Sequence, residues 1–168
     1  MFSLYTLALL ALLDPSAGTT ARAASVNSPS QFTEYAPAYR EAQRSKKPLL
    51  VILNPGEKSS VKLVSLSDVS KTDRRRELLE RYVVVVIDTS TEEGTVAHRL
   101  FDQKPLPHVS VIDRDQKVQT FRTSRALQGE DWNKILETFQ TGDGKAKLNL
   151  EKPFCPSCQL YSQMQTQP

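Results

Sequence analysis

Two dense apolar runs constrain this chain more than anything else in it. They are Pro48-Leu-Leu-Val-Ile-Leu53 and Val83-Val-Val-Val-Ile-Asp88. A strand with one face in water alternates apolar and polar residues. Runs without alternation read as strands covered on both faces. Asn54-Pro55-Gly56 closes the first run with turn-forming residues. Between the runs, Ser70-Lys-Thr-Asp73 has the form of a capping box with Asp in place of Glu. Leu78, Leu79 and Tyr82 then share one helical face, and Glu77 and Arg81 form an i,i+4 pair. Strand, helix and strand at this spacing make a βαβ unit with a right-handed crossover.

The remaining elements follow from periodicity. Tyr35, Ala38, Tyr39 and Ala42 recur at helical spacing, ending at Arg44-Ser-Lys-Lys47. Val96, Ala97, Leu100 and Phe101 mark a further helix face, ended by Pro105-Leu106-Pro107. His108-Val-Ser-Val-Ile112 and Lys117-Val-Gln-Thr-Phe121 read as strands of an antiparallel hairpin around Asp113-Arg-Asp-Gln116. Trp132, Ile135, Leu136 and Phe139 form the apolar face of a last helix, with Trp132 as its core anchor. Thr141-Gly-Asp-Gly144 stops it.

Phe2 to Leu13 is an apolar run too short to span a bilayer, halted by Asp14-Pro15. Ala21-Arg22-Ala23 fits an A-x-A cleavage site, although no Lys or Arg precedes the run. The expected organisation is a signal peptide over 1–23, a linker over 24–34, a domain over 35–140 and a flexible tail over 141–168. Export to a periplasm or secretion follows, with no stable membrane span after cleavage. A length of 168 residues accommodates one ordinary domain, and 39% hydrophobic with 24% charged residues is a globular composition. A net charge of +3 is too small to imply nucleic acid. Two cysteines exclude a disulfide scaffold.

The order helix, strand, helix, strand, helix, hairpin, helix resembles the thioredoxin-like superfamily, especially its exported domains. The resemblance covers residues 35–140. It is carried by Ala42, by Lys47-Pro-Leu-Leu-Val-Ile-Leu53, by the loop from Asn54 to Val61, by Glu80-Arg-Tyr-Val-Val-Val-Val-Ile-Asp88 and by Leu106-Pro107-His108. It implies an α/β fold with a central mixed four-stranded sheet, βαβ plus ββα, flanked by helices. It also implies a cis bond before Pro107, facing the loop after the first strand.

In that superfamily Cys-x-x-Cys follows the first strand. Here the position holds Lys58-Ser59-Ser60-Val61, or Glu57 to Ser60 after a slip of one residue. Thiol exchange needs a thiolate, and a serine hydroxyl stays protonated. Ser59 and Ser60 are read as caps of a following helix. Gly56-Glu57-Lys58-Ser59 lacks the glycines of a phosphate-binding loop, leaving only weak anion binding near Lys58.

The only thiols stand in the tail, as Cys155-Pro156-Ser157-Cys158. They are open to three readings: a local disulfide, a reactive dithiol, or half of a metal site. Arg74-Arg-Arg76 reads as a solvated helix face. His98 is expected at the rim of its helix, and His108 beside the groove. The expected function is an exported, non-catalytic module without cofactor or metal. Asn54, Glu57, Lys58, Leu106, Pro107 and His108 would form its groove for a protein or peptide. The alternative is a thiol–disulfide oxidoreductase acting through Cys155 and Cys158. The sequence leaves the oligomeric state open.

Overall fold

A computed structural model of the chain describes residues 31–148 and Leu150. Its elements are β1 (Gln31–Phe32), α1 (Tyr35–Ser45), β2 (Leu49–Asn54), α2 (Leu66–Val69), α3 (Asp73–Leu79), β3 (Val83–Asp88), α4 (Glu92–Leu100), β4 (His108–Ile112), β5 (Gln119–Thr123) and α5 (Gly129–Phe139). They build one mixed sheet in the order β1-β3-β2-β4-β5. β2 is central, parallel to β3 and antiparallel to β4.

The sheet has five strands rather than the expected four. The fifth comes from the segment expected as a linker, where Gln31 and Phe32 pair in parallel with Val84 and Val85. Two residues are too few to carry a period-2 pattern, so nothing in the sequence marks them.

Every residue of β2 is buried, and its alternate side chains serve two cores. Leu50 and Ile52 join Val84, Val109 and Val111 beneath α3 and α5. Leu49, Val51 and Leu53 join Val83, Val85 and Ile87 beneath α1 and α4. Ala38 and Ala42 are the buried residues of α1, small enough to let that helix lie close to the sheet. On the other face Trp132, Ile135, Leu136 and Phe139 are all buried, and the Tyr82 hydroxyl donates to the Leu136 carbonyl at 2.8 Å.

Several local readings change. The α4 face is rotated from its expected setting: Ala97 and Phe101 are buried, whereas Val96 and Leu100 are 53% and 63% exposed. Gly94 sets this rotation. A Cβ there would lie 1.9 Å from the Asp88 carbonyl oxygen, so the helix presses its bare backbone onto the end of β3. Ser70 closes α2 instead of opening α3, and Thr72 caps α3 by accepting from the Arg75 amide. β5 starts two residues late because Asp113 Oδ1 accepts from the amides of Lys117 and Val118, holding both in the turn.

Gly142 ends the α5 region at φ +64°, the left-handed conformation that glycine tolerates. The chain then turns back onto the domain. The Arg114 amide donates to Gly142, while Ala146, Leu148 and Leu150 pack against the core. The segment expected as a tail therefore begins as domain surface. The Leu106–Pro107 bond is cis, as the resemblance implied. Among the described residues no helix is long and apolar enough to cross a membrane.

Candidate functional site

The loop after β2 is tied down at both ends. Asn54 closes the strand almost completely buried. Its side-chain Nδ2 donates to the Val64 carbonyl and its Oδ1 accepts from the Val64 amide, each at 2.9 Å. The Asn54 carbonyl accepts from the Thr89 amide and hydroxyl, joining this loop to the one after β3. Gly56 packs against Ser90, where a Cβ would meet the Ser90 Cβ at 2.7 Å.

Between those ties the backbone makes tight turns and no helix. The Ser59 amide donates to Gly56 and the Val61 amide donates to the Ser59 hydroxyl. Glu57, Lys58, Ser59 and Ser60 are exposed, and Val61 is 44% exposed. The next helix, α2, begins only at Leu66 and is capped by Ser65. Ser59 and Ser60 therefore do not cap a helix. The positive helix end that would favour an anion or thiolate is missing at this position, and with it the basis for anion binding at Lys58.

A groove of about 910 Å³ lies beside this loop. Leu106 and Pro107 form one wall, Val61 and Leu63 another, and Leu127 and Trp132 add apolar surface. Of the residues expected to form a groove, Leu106 and Pro107 line it, together with Val61 from the loop after β2. Glu57 and Lys58 stand outside its lining, and Asn54 holds the loop from beneath. Trp132 is buried in the core, as expected of an anchor, and also presents part of its surface to the groove.

His108 sits behind the groove. It is buried, with Nδ1 2.8 Å from the hydroxyl of Ser124, which does line the groove. Its Nε2 has no hydrogen-bond partner among the described residues. Burial holds its pKa below the ordinary imidazole value, and the nearby charges of Arg122, His98 and Lys104 act in the same direction. His98 places Nε2 2.8 Å from the Lys104 carbonyl, bracing the chain ahead of Pro105.

Arg75 is the residue that the sequence reading missed. The three consecutive arginines diverge: Arg74 pairs with Glu137, Arg76 with Asp73, and Arg75 turns inward to 6% exposure. Its Nη1 donates to the carbonyls of Asp68 and Val69, and its Nε donates to the Thr72 hydroxyl. The available signal was its register. Arg75 precedes Leu78, Leu79 and Tyr82 by three, four and seven positions, so it occupies the apolar stripe of its own helix. Cys155 and Cys158 lie outside the described residues. Among those described, no group of three or more His, Cys, Asp or Glu side chains is placed to hold a metal ion.

No protein-family model and no curated relative matches the chain. Solved structures do. A thioredoxin from Thermus thermophilus superposes with a TM-score of 0.51 at 16% identity, over 65% of this chain and 85% of that one. Chloroplastic thioredoxin z gives 0.49 at 18% identity, over 67% and 94%. A protein described as DsbH oxidoreductase gives 0.45 at 13% identity, over 81% and 94%. The Thermus thermophilus match establishes the thioredoxin-like α/β fold, here with a five-stranded mixed sheet.

Proposed function

We propose that this chain is an exported polypeptide-binding domain on a thioredoxin-like fold, with no thiol chemistry at the position after β2. One observation carries the reading: a groove of about 910 Å³, largely apolar in lining, flanked by Leu106 and Pro107 and by a loop that holds no sulfur. The volume falls in the range of about 300–1,000 Å³ that accommodates ligands. Among the described residues, the Leu106 backbone N–H and C=O make no hydrogen bond. They are available to an extended chain laid along them, which is recognition by strand addition.

The test is fluorescence anisotropy with a labelled, extended apolar peptide and the chain from residue 24 onward. Leu63 lines the groove and is 37% exposed, so Leu63→Arg should weaken binding without altering the circular dichroism spectrum. Equal binding by both proteins would place the site elsewhere. Export is tested by intact mass in the native host, where the mature protein should lack the first 23 residues.

A second reading, thiol–disulfide exchange through Cys155 and Cys158, has one observation in its favour. Leu148 and Leu150 gather with Thr123 and Arg125, the sequence neighbours of the groove residue Ser124. The last described residue, Leu150, stands five positions ahead of Cys155. Rapid disulfide reduction by the wild type, lost in the Cys155→Ser, Cys158→Ser double variant, would establish this reading.

A further inference from the structure

Arg75 is a cation buried beside an apolar groove, and among the described residues it forms no ion pair. A guanidinium carries five N–H donors. The bonds to Thr72, Asp68 and Val69 use the Nε donor and both donors of Nη1. The two donors of Nη2 have no partner among the described residues. Nη2 lies close to Gly129, the first residue of α5. A Cβ on Gly129 would stand 3.6 Å from Nη2, and both residues line the groove. The absent side chain leaves open the space in front of the free donors.

The rest of the lining has the same sign. Lys62 and Lys71 also border the groove, while Asp68 is its one carboxylate, and that accepts from the Ser65 hydroxyl at 2.9 Å. Nη2 is not among the buried atoms that lack a partner, so it is open to the groove rather than sealed in the core. Capping the carbonyls of α2 accounts for Nη1, and the Thr72 hydroxyl accounts for Nε. It gives Nη2 no task.

Resting on the polypeptide-binding reading, we propose that the Arg75 Nη2 is an anchor for a carboxylate carried by the bound polypeptide. Leu106, Pro107, Leu127 and Trp132 take the apolar residues beside it. The ligand class is an extended apolar peptide bearing one carboxylate, from an acidic side chain or from its own C-terminus.

Three fluorescein-labelled heptapeptides of one apolar sequence test this against the chain from residue 24 onward. One carries a central Glu and an amidated end. One carries Gln with an amidated end. One carries Gln with a free C-terminal carboxylate. At least one carboxylate peptide should bind about tenfold tighter than the neutral peptide, the increment of one charge-assisted hydrogen bond. Which of the two gains identifies the source of the carboxylate. Gly129→Asp should erase the advantage by placing a carboxylate against Nη2 while sparing the bonds of Arg75 to α2. Gly129→Asn, of the same size but neutral, should keep it.

Equal affinity for all three peptides would overturn the carboxylate anchor and leave peptide binding standing. Loss of the advantage in Gly129→Asn as well would overturn it in favour of simple steric occlusion. Competition by millimolar inorganic phosphate as effective as the carboxylate peptide would make this a small-anion site instead. Failure of every peptide to bind would overturn the polypeptide-binding reading itself.

Discussion

The side-chain amide of Asn54 and the backbone of Val64 hold each other through two hydrogen bonds of 2.9 Å, one in each direction. A side chain thus supplies what a neighbouring strand supplies elsewhere in the sheet. Nine residues lie between them, and this pair sets where that excursion returns.

Asn54→Ala removes both bonds and strands the Val64 N–H and C=O. The expected cost is about 1–3 kcal/mol in urea unfolding, the penalty for unsatisfied buried polar groups. Amide exchange at Val64 should speed up while that of Ile52 stays protected. Unchanged exchange at Val64 would show that the loop is held by other contacts.

Gly94→Ala is a test of sign. At an exposed helix position alanine is favoured over glycine by about 1 kcal/mol. Here the added Cβ would meet the Asp88 carbonyl at 1.9 Å, so α4 must move off β3. Destabilisation of about 1–3 kcal/mol is expected. A raised thermal midpoint would mean that the contact is looser than the structure has it.

Acid should cost stability through His108. Its folded-state pKa is lowered from 6.5, first by burial and then by Arg122, His98 and Lys104, with Asp102 opposing. The unfolded chain therefore takes up its proton first as pH falls. Stability present above about 6.5 is lost below it, at no more than about 1.4 kcal/mol per pH unit from this one group. Unfolding free energies from pH 7.5 down to 5 should fall more steeply for the wild type than for His108→Gln. Parallel profiles would mean that His108 is protonated with equal ease in both states.

Trp132→Ala and Leu100→Ser should differ sharply. Trp132 is a buried core residue, and its loss should cost about 3–5 kcal/mol. Leu100 is mostly exposed, and its loss should change stability by less than about 0.5 kcal/mol. Comparable losses would put Leu100 against a surface that the described residues do not include.

The sheet was legible because β2 and β3 are covered on both faces, and a run such as Leu49 to Leu53 has few other uses. Short elements were not. The two residues of β1 and the four of α2 are too few to show a period, and they exist through tertiary pairing and the Ser65 cap. Spacing placed Val96 and Leu100 together with Ala97 but left open which side faces inward. The close approach at Gly94 decides it. Of the candidate groove, Leu106 and Pro107 came from the resemblance to thioredoxin-like domains, not from any periodicity. Arg75 was hidden within a run of three like charges, where helical register separates side chains that composition groups together.

The Tyr82–Leu136 bond joins residues 54 positions apart, and α5 supplies Trp132, Ile135, Leu136 and Phe139 to the core beneath the sheet. That core is covered only in part, by α3, until the last helix exists. In a chain made from its N-terminus, β2, β3 and the apolar face of α3 emerge first and remain unsealed while about fifty more residues are added, a few seconds of synthesis at typical rates. Until then Leu78, Leu79 and Tyr82 are open to whatever binds nascent apolar surface.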